Sequence, residues 1–248
     1  MSQLINQLKV LETDTFILED GEPYQAKLLS GLSEAEVLAF TALLPLQTLP
    51  NEVKQLLLFA RGFEFDGLEE VRFDAFGEFG LCGLFPYCIE LASDGFGNYW
   101  VLDIFETGGW GAVFFVCHDP QVIVRQSGSL LEFLSHVQQF GNLGVKSQLN
   151  QVHEDLTTRV WQQRKMQSGL IKAESESNPG DIVLQEFASN LPIEFLVADL
   201  RKNSSTQGFA LDQISFTRNK IRKHPTEPIW GFEMPIKERN WLKRLLSR

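Results

Sequence analysis

Hydrophobic and polar positions follow their clearest pattern across residues 88–124. Residues 99–104 put three apolar side chains on one side of an extended strand, because successive side chains point to opposite faces. Residues 112–117 are continuously apolar, as expected of a strand that is buried on both faces. Glycine-containing turns separate these runs, at 94–98 and 107–111. The pattern predicts an antiparallel meander of four strands.

Apolar residues at helical spacing precede the meander. Ser33 and Glu36 form a capping box, and the apolar residues that follow recur at i, i+3 and i+7 on one helix face. A second helix is predicted to open at Pro50, where the missing N–H costs little, and to end at Gly62. Two helices therefore come before the meander.

The chain beyond the meander mixes helical and extended patterns. Ser127 or Ser129 is expected to cap a helix, and residues 149–160 have the spacing of another amphipathic helix. The polar run 172–181 is predicted to be a linker or an exposed loop. Further strands are expected at 182–187, 195–200, 208–211 and 229–232, and a last helix at 238–246.

These elements together predict the α+β class, with a twisted, mostly antiparallel sheet flanked by helices. We place a boundary near residue 145, so that residues 1–145 form the first domain. Residues 146–248 form an additional C-terminal α+β region. This region is either an extension packed on the first domain or a small second domain, and the polar linker favours the second alternative.

Several motifs occur together in the meander and after it. They are D-G-x-G-N-x-W-x-L-D, then G-x-W-G-x-V-x-F, and then H-D-P followed by a short strand and S-L-x-E-F-L. In turn residues, tryptophans and spacing this combination resembles the SUKH superfamily across residues 32–140. The helix that begins with Leu49 and Pro50 is similar as well, although Arg61-Gly62 stands where the superfamily usually has Asn-Gly.

The resemblance carries an expectation about function. The SUKH superfamily includes a yeast regulator of cell-wall assembly and many bacterial immunity proteins, which neutralise secreted toxins. It implies a non-catalytic protein that binds another protein, and in a bacterium an immunity protein. The alternative is a scaffold or regulator of the cell-wall type, which the long C-terminal region favours. An unrecognised hydrolase is a third alternative.

Charge changes this picture, because it is distributed unevenly. The formal net charge is −10, and it divides into −14 for residues 1–145 and +4 for residues 146–248. An acidic surface repels nucleic acid and attracts basic partners. The acidic surface either simply keeps the protein soluble, which is the simpler explanation, or attracts a basic partner. The resemblance implies that such a partner is a protein, for example the basic domain of a nuclease toxin. The basic run 218–224 could bind nucleic acid or an anionic surface. It is more simply explained as solvated, or as paired with acidic groups elsewhere in the chain.

The sequence contains no clear catalytic or metal-binding pattern, and we expect no enzyme activity, no cofactor and no small-molecule ligand. Cys117 and His118 are neighbours on a predicted strand, so their side chains should point to opposite faces. Cys82 and Cys88 lack the close spacing of zinc ligands. Asp94 is expected to accept hydrogen bonds from its own turn rather than to bind calcium.

Acidic and aromatic residues around the meander are the candidate partner-binding residues. Trp100 is predicted to belong to the core, whereas Trp110 lies in a glycine-rich turn and either contacts a partner or packs over the end of the sheet. The predicted partner-binding set is Glu69, Glu70, Asp74, Glu78, Phe79, Asp94 and Trp110.

The expected location is the cytoplasm. The N-terminal sequence lacks the basic and apolar regions of a signal peptide, and no apolar run approaches the roughly 20 residues that span a bilayer. Three cysteines do not make a disulfide framework. No membrane partner is expected.

Overall fold

The computed structural model describes residues 2–17, 21–77, 79–165, 169–173, 180–202, 207–214 and 221–233. Helices and mostly antiparallel sheets coexist in it, which confirms the predicted α+β class. The helices are α1 (Gln3–Thr13), α2 (Glu34–Leu43), α3 (Asn51–Phe59), α4 (Leu130–Leu143), α5 (Gln148–Asn150), α6 (Thr157–Gln163) and α7 (Ile182–Ser189).

The strands are short, and the longest of them form the predicted meander. They are β1 (Phe16–Ile17), β2 (Pro23–Tyr24), β3 (Lys27–Ser30), β4 (Ala60–Phe65), β5 (Glu69–Arg72), β6 (Cys88–Ser93), β7 (Tyr99–Ile104), β8 (Trp110–Cys117), β9 (Val122–Ser127), β10 (Ile171–Lys172), β11 (Phe195–Asp199), β12 (Gly208–Ala210), β13 (Ile221–Lys223) and β14 (Ile229–Glu233).

The central sheet has five antiparallel strands in the order β12-β9-β8-β7-β6. The meander from β6 to β9 is therefore confirmed. Its outer strand β12 comes from far along the chain, and Phe209 pairs with Ile123 across it. Residues 146–248 thus share a sheet with residues 1–145.

One face of the central sheet is covered by helices. Leu102, Phe115 and Val124 point into this layer, where α1, α3 and α4 supply the opposing apolar side chains. Trp100 is 2 % exposed there and donates a hydrogen bond from Nε1 to Oε1 of Gln126 at 3.3 Å, which confirms its predicted place in the core. This layer forms the largest apolar core of the described residues.

The other face of the central sheet is covered by a second sheet, in the order β10-β11-β14-β13. Trp230 on β14 lies between the sheets, against Phe114 of β8 at a ring distance of 5.4 Å. Its Nε1 donates to the carbonyl oxygen of Leu84 at 2.9 Å. Helix α7 packs on the far side of this second sheet, through Leu184 and Ala188.

A third sheet, β3-β4-β5, continues the layer beside β6. Glu90 on β6 donates its backbone N–H to the carbonyl oxygen of Ala75 at 3.0 Å, and Phe76 forms an isolated bridge with Ile89. This arrangement brings the loop after β4 towards the turn that follows β6, and so it positions Glu69 beside that turn.

The predicted helix ends are confirmed in part. The capping box is present, with Ser33 Oγ accepting from the Glu36 amide at 3.3 Å and Glu36 Oε2 accepting from the Ser33 amide at 2.8 Å. Ser129, rather than Ser127, caps α4. Gly62 does not end α3 but lies within β4, where a Cβ would stand 2.1 Å from the carbonyl oxygen of Val71. That glycine is needed for the close approach of β5.

The strand predicted at 182–187 is wrong, because this segment is helix α7. Asp181 caps it, its side chain accepting from the amide of Leu184 at 3.1 Å. The run Ile182-Val183-Leu184 has the apolar, β-branched composition of a strand. However, Ile182 is 66 % exposed, and only Leu184 of the three is buried. The side-chain cap has overridden the β propensity of these residues.

Other elements of the C-terminal region are as predicted. Strands are present where residues 195–200, 208–211 and 229–232 were expected to be extended. Residues 149–160 are helical, with a π-helical turn over Gln151–Leu156. The helix expected at 238–246 lies outside the described residues, as does most of the predicted linker. Helix α1 was not predicted.

Candidate functional site

The turn between β6 and β7 is organised by the carboxylate of Asp94. Its Oδ1 accepts hydrogen bonds from the amides of Phe96 at 2.9 Å and Asn98 at 3.2 Å, and Oδ2 accepts from Asn98 Nδ2 at 2.6 Å. Gly95 and Gly97 take φ values of 75° and 86°, which lack of a Cβ permits. The prediction that Asp94 binds its own turn is confirmed. The turn presents Phe96 outwards, and this ring is 84 % exposed.

Acidic side chains from three other segments surround this turn. Glu69 Oε1 lies 3.1 Å from the position that a Cβ of Gly95 would take. Asp94, Asp119 and Glu154 are near enough to Cys117 to raise the pKa of its thiol electrostatically, in addition to burial. We call Glu69, Asp94, Phe96, Asp119 and Glu154 the turn surface.

His153 connects two members of the turn surface. Its Nε2 lies 3.4 Å from Asp94 Oδ2 and its Nδ1 lies 3.6 Å from Glu154 Oε1. The imidazole ring also packs on Trp100 and Phe115, with centroid distances of 5.9 and 4.8 Å. The π-helical segment that carries His153 is thus fixed against both the core and the turn.

An apolar groove of about 530 Å³ opens beside the turn. It lies between β8 and the residues that follow β12, and Gly97 and His118 place it next to the turn surface. The apolar side chains that line it are Phe79, Leu81, Tyr99, Val116 and Leu211. An exposed aromatic ring, carboxylates and an apolar groove together form a surface that can take a protein segment with apolar and basic side chains.

The structure brings only part of the predicted partner-binding set together. Glu69 is exposed on the turn surface, whereas the side chain of Asp94 is only 8 % exposed and its carboxylate is occupied by its own turn and by His153. Glu70 and Asp74 flank Arg72 instead, whose Nε lies 3.6 Å from Glu70 Oε1 and 3.0 Å from Asp74 Oδ1. Arg72 therefore offsets one of these two negative charges locally.

Three other members of the set do not join the turn surface. Phe79 is 5 % exposed and packs on Phe85 and Tyr99, so it forms part of the wall of the groove and does not project from the surface as Phe96 does. Trp110 is half-buried where β8 begins, about 17 Å along the strands from the turn at 3.3 Å per residue. Glu78 lies outside the described residues.

Phe96, Asp119 and Glu154 were missed by the sequence analysis. Phe96 could have been found, because a phenylalanine between two turn glycines has no strand face to pack on. Asp119 and Glu154 join the surface only through tertiary contacts, since Glu154 comes from the segment after α4. The sequence contains no local signal for that contact.

The cysteines of the meander are poor nucleophiles. Burial raises the pKa of the Cys117 thiol to about 11 and that of Cys88 to about 12. His118 is exposed, and its backbone amide donates to Asn98 Oδ1 at 2.7 Å. The thiolate, which is the reactive form, is therefore disfavoured at both buried cysteines near neutral pH.

A buried ion pair joins the two stacked sheets. Asp103 on β7 is fully buried and Lys223 on β13 has a side chain that is 9 % exposed, and Lys223 Nζ donates to Asp103 Oδ1. Burial raises the pKa of Asp103, and Lys223 lowers it less. Asp103 Oδ2 has no hydrogen-bond partner.

This pair accounts for part of the basic run 218–224. Lys223 pairs with an acidic residue of the first 145 residues, as the simpler explanation of that run predicted. His224 packs on the ring of Phe187, at a centroid distance of 5.6 Å. Residues 218–220 lie outside the described part of the chain.

Comparisons with protein-family models, with curated proteins and with solved structures find no match to this chain. Within the described ranges, no group of three His, Cys, Asp or Glu side chains is arranged to hold a metal ion. The described helices also include none with both the length and the apolar character that crossing a bilayer requires.

Proposed function

We propose that this chain is a non-catalytic protein that binds a basic protein partner through the turn surface. The observation that carries the proposal is Phe96, an 84 % exposed aromatic ring held by a rigid turn among carboxylates. Exposing such a ring is unfavourable in water, and burying it in a partner would regain about 2 kcal/mol or more. Aromatic residues are enriched among the few side chains that dominate binding energy.

We further propose that the partner is a toxin, and that the chain is an immunity protein acting in the cytoplasm. Support comes from the resemblance of residues 32–140 to the SUKH superfamily and from the charge of −14 in residues 1–145. Carboxylates on the turn surface would imitate the phosphates that a basic nuclease cleft binds. All three cysteines are free, as is usual for a protein of a reducing compartment.

A scaffold or regulatory module of the cell-wall type is the second candidate. One observation favours it: the C-terminal region exposes apolar side chains of its own, with Ile182 66 % and Ile193 61 % exposed around α7. Exposed apolar side chains far along the chain from the turn surface could contact a further partner, as a scaffold requires.

The test is an affinity capture from the source cells at about 0.15 M and about 0.5 M salt, with bound proteins identified by mass spectrometry. We expect one basic partner in stoichiometric amount, held less strongly at the higher salt, because salt screens exposed charges. Phe96→Ala should abolish its capture, and Glu69→Gln should weaken it. Ile193→Ala, which removes a comparable exposed apolar side chain elsewhere, is the matched control and should leave capture unchanged.

Two results would decide against the proposal. Capture of the same partner by Phe96→Ala and by the unmodified chain would show that the turn surface does not bind it. Loss of capture on Ile193→Ala, with Phe96→Ala unaffected, would favour the second candidate. Toxin neutralisation itself is tested by co-expressing the captured partner with and without this chain and measuring cell growth.

A further inference from the structure

A polar cleft, distinct from the apolar groove, lies at the end of the central sheet opposite to the turn surface. It consists of two adjoining cavities of about 420 and 310 Å³, which share Arg125, Gly128, Arg201 and Lys202. Trp110 and Phe105 line the smaller cavity. We call these six residues the basic cleft. It is separate from the turn surface, so an inference about it does not depend on the proposed function.

Two buried hydrogen-bond donors of the basic cleft are unsatisfied. Arg125 Nε and Trp110 Nε1 are both inaccessible to solvent and have no hydrogen-bond partner among the residues that the structure describes. A buried donor without a partner costs about 1–3 kcal/mol, and most such groups in folded proteins are satisfied. Two in one cleft favour an acceptor from outside the chain, which a shift of the side chains that line the cleft would have to admit, because neither nitrogen is exposed to solvent.

The charges of the basic cleft favour an anion. Arg201 is already engaged, because it donates to both Asp181 and Asp199. Arg125 has no ion pair within 4 Å and Lys202, which is exposed, forms no ion pair with a described residue. Their charges are thus available.

Two carboxylates also face the cleft and limit its affinity. Glu132 Oε2 is held by the amide of Gly128 at 2.5 Å, and its charge acts on Arg125. Glu227 lines the smaller cavity. Glu132 does not satisfy Arg125 Nε, which has no hydrogen-bond partner among the described residues.

We propose that the basic cleft binds the phosphoryl group of a small phosphorylated molecule. Arg125, Trp110 and Lys202 all line the smaller cavity, and each carries an N–H donor that could serve an anion. A phosphoryl group has three terminal oxygens, which accept hydrogen bonds, and up to two negative charges. Phe105 and Pro228 provide an apolar wall for the rest of the molecule. A carboxylate offers only two oxygens and one charge, so it matches this set less well.

The experiment is isothermal titration of the full chain with phenyl phosphate, inorganic phosphate and benzoate at pH 7.5 and constant ionic strength. We expect saturable binding of phenyl phosphate, weaker binding of inorganic phosphate because it does not use the apolar wall, and weaker binding of benzoate. Arg125→Lys keeps the charge but loses Nε, and it should raise the Kd about tenfold or more, as expected for one charge-assisted hydrogen bond.

Two further variants keep the test decisive. Trp110→Phe keeps an aromatic ring and removes only the Nε1 donor, so it should raise the Kd several-fold even if the arginine variant does not fold. Arg61→Lys makes the same substitution at an exposed arginine on β4 and should leave the Kd unchanged. Absence of saturable heat up to about 10 mM phenyl phosphate would overturn the proposal. Tighter binding of benzoate than of phenyl phosphate would overturn the phosphoryl assignment.

Discussion

Removing Lys223 from its pair with Asp103 should destabilise the protein strongly. In the variant Lys223→Met the carboxylate of Asp103, which is fully buried, loses the cation that balances it. Leaving one charge of a buried pair unbalanced costs about 3–5 kcal/mol. Domains of this size are stable by about 5–15 kcal/mol, so the variant should lose a large part of its free energy of unfolding.

The loss should depend on pH in a definite direction. Burial already raises the pKa of Asp103 in the folded protein, and removing Lys223 raises it further, because Lys223 is the group that lowers it. A carboxyl group with a raised folded-state pKa favours folding while it is protonated, and that contribution is lost as the pH rises through the folded-state pKa. The variant should therefore be less impaired at pH 5 than at pH 8.

Urea unfolding followed by circular dichroism at pH 5 and pH 8 measures both effects. The double variant Asp103→Leu with Lys223→Met is the control, because it removes both charges and should recover all but about 1–2 kcal/mol. A loss below about 1 kcal/mol at pH 8 would refute the reasoning. So would an equal loss at the two pH values, since it would mean that Asp103 is not a buried ionised group.

Other predictions concern the ends of elements and the thiols. Ser33→Ala should cost about 1 kcal/mol, seen as a lower urea midpoint, because it opens the capping box of α2. Gly208→Ala should detach β12, because the new Cβ would lie 2.6 Å from the carbonyl oxygen of Ile123. The backbone amide of Arg125 donates to the carbonyl oxygen of Gln207, so its hydrogen exchange should become faster. Gly80→Ala is the control, because a Cβ there meets nothing within 4 Å and should leave the exchange rate of Arg125 unchanged. With a thiol reagent at pH 8, mass spectrometry should find exposed Cys82 modified first, and equal labelling of the buried cysteines would contradict their burial.

Local signals predicted much of the first 145 residues. The meander, the capping box and the burial of Trp100 follow from alternation, turn glycines and helix spacing, all of which act over a few residues. The helix end predicted at Gly62 is wrong, because a glycine after a helical pattern can either end the helix or permit close packing of strands. Only the position of β5 shows that Gly62 has the second role. Likewise, the apolar run at 182–187 fits a strand until the Asp181 cap is considered.

The site was less predictable than the fold. Phe79 and Trp110 were predicted to bind a partner as aromatic residues around the meander, and Trp110 also because it lies in a glycine-rich turn. Phe79 is in the core, however, and Trp110 lies at the opposite end of the strands from the turn surface. Asp103 occupies a polar position of an alternating strand, which normally means exposure. The second sheet covers that face, and only the tertiary fold reveals it.

The pairing of β12 with β9 has a consequence for synthesis on the ribosome. Val124 pairs with Gly208, so the edge of β9 is translated long before its partner strand exists. At about 5–20 residues per second the delay is roughly 4–17 s. During that time the nascent chain presents an open strand edge and the apolar face that Trp230 later covers, both of which promote aggregation. The first 145 residues therefore cannot complete their central sheet until residues 208–210 have been synthesised.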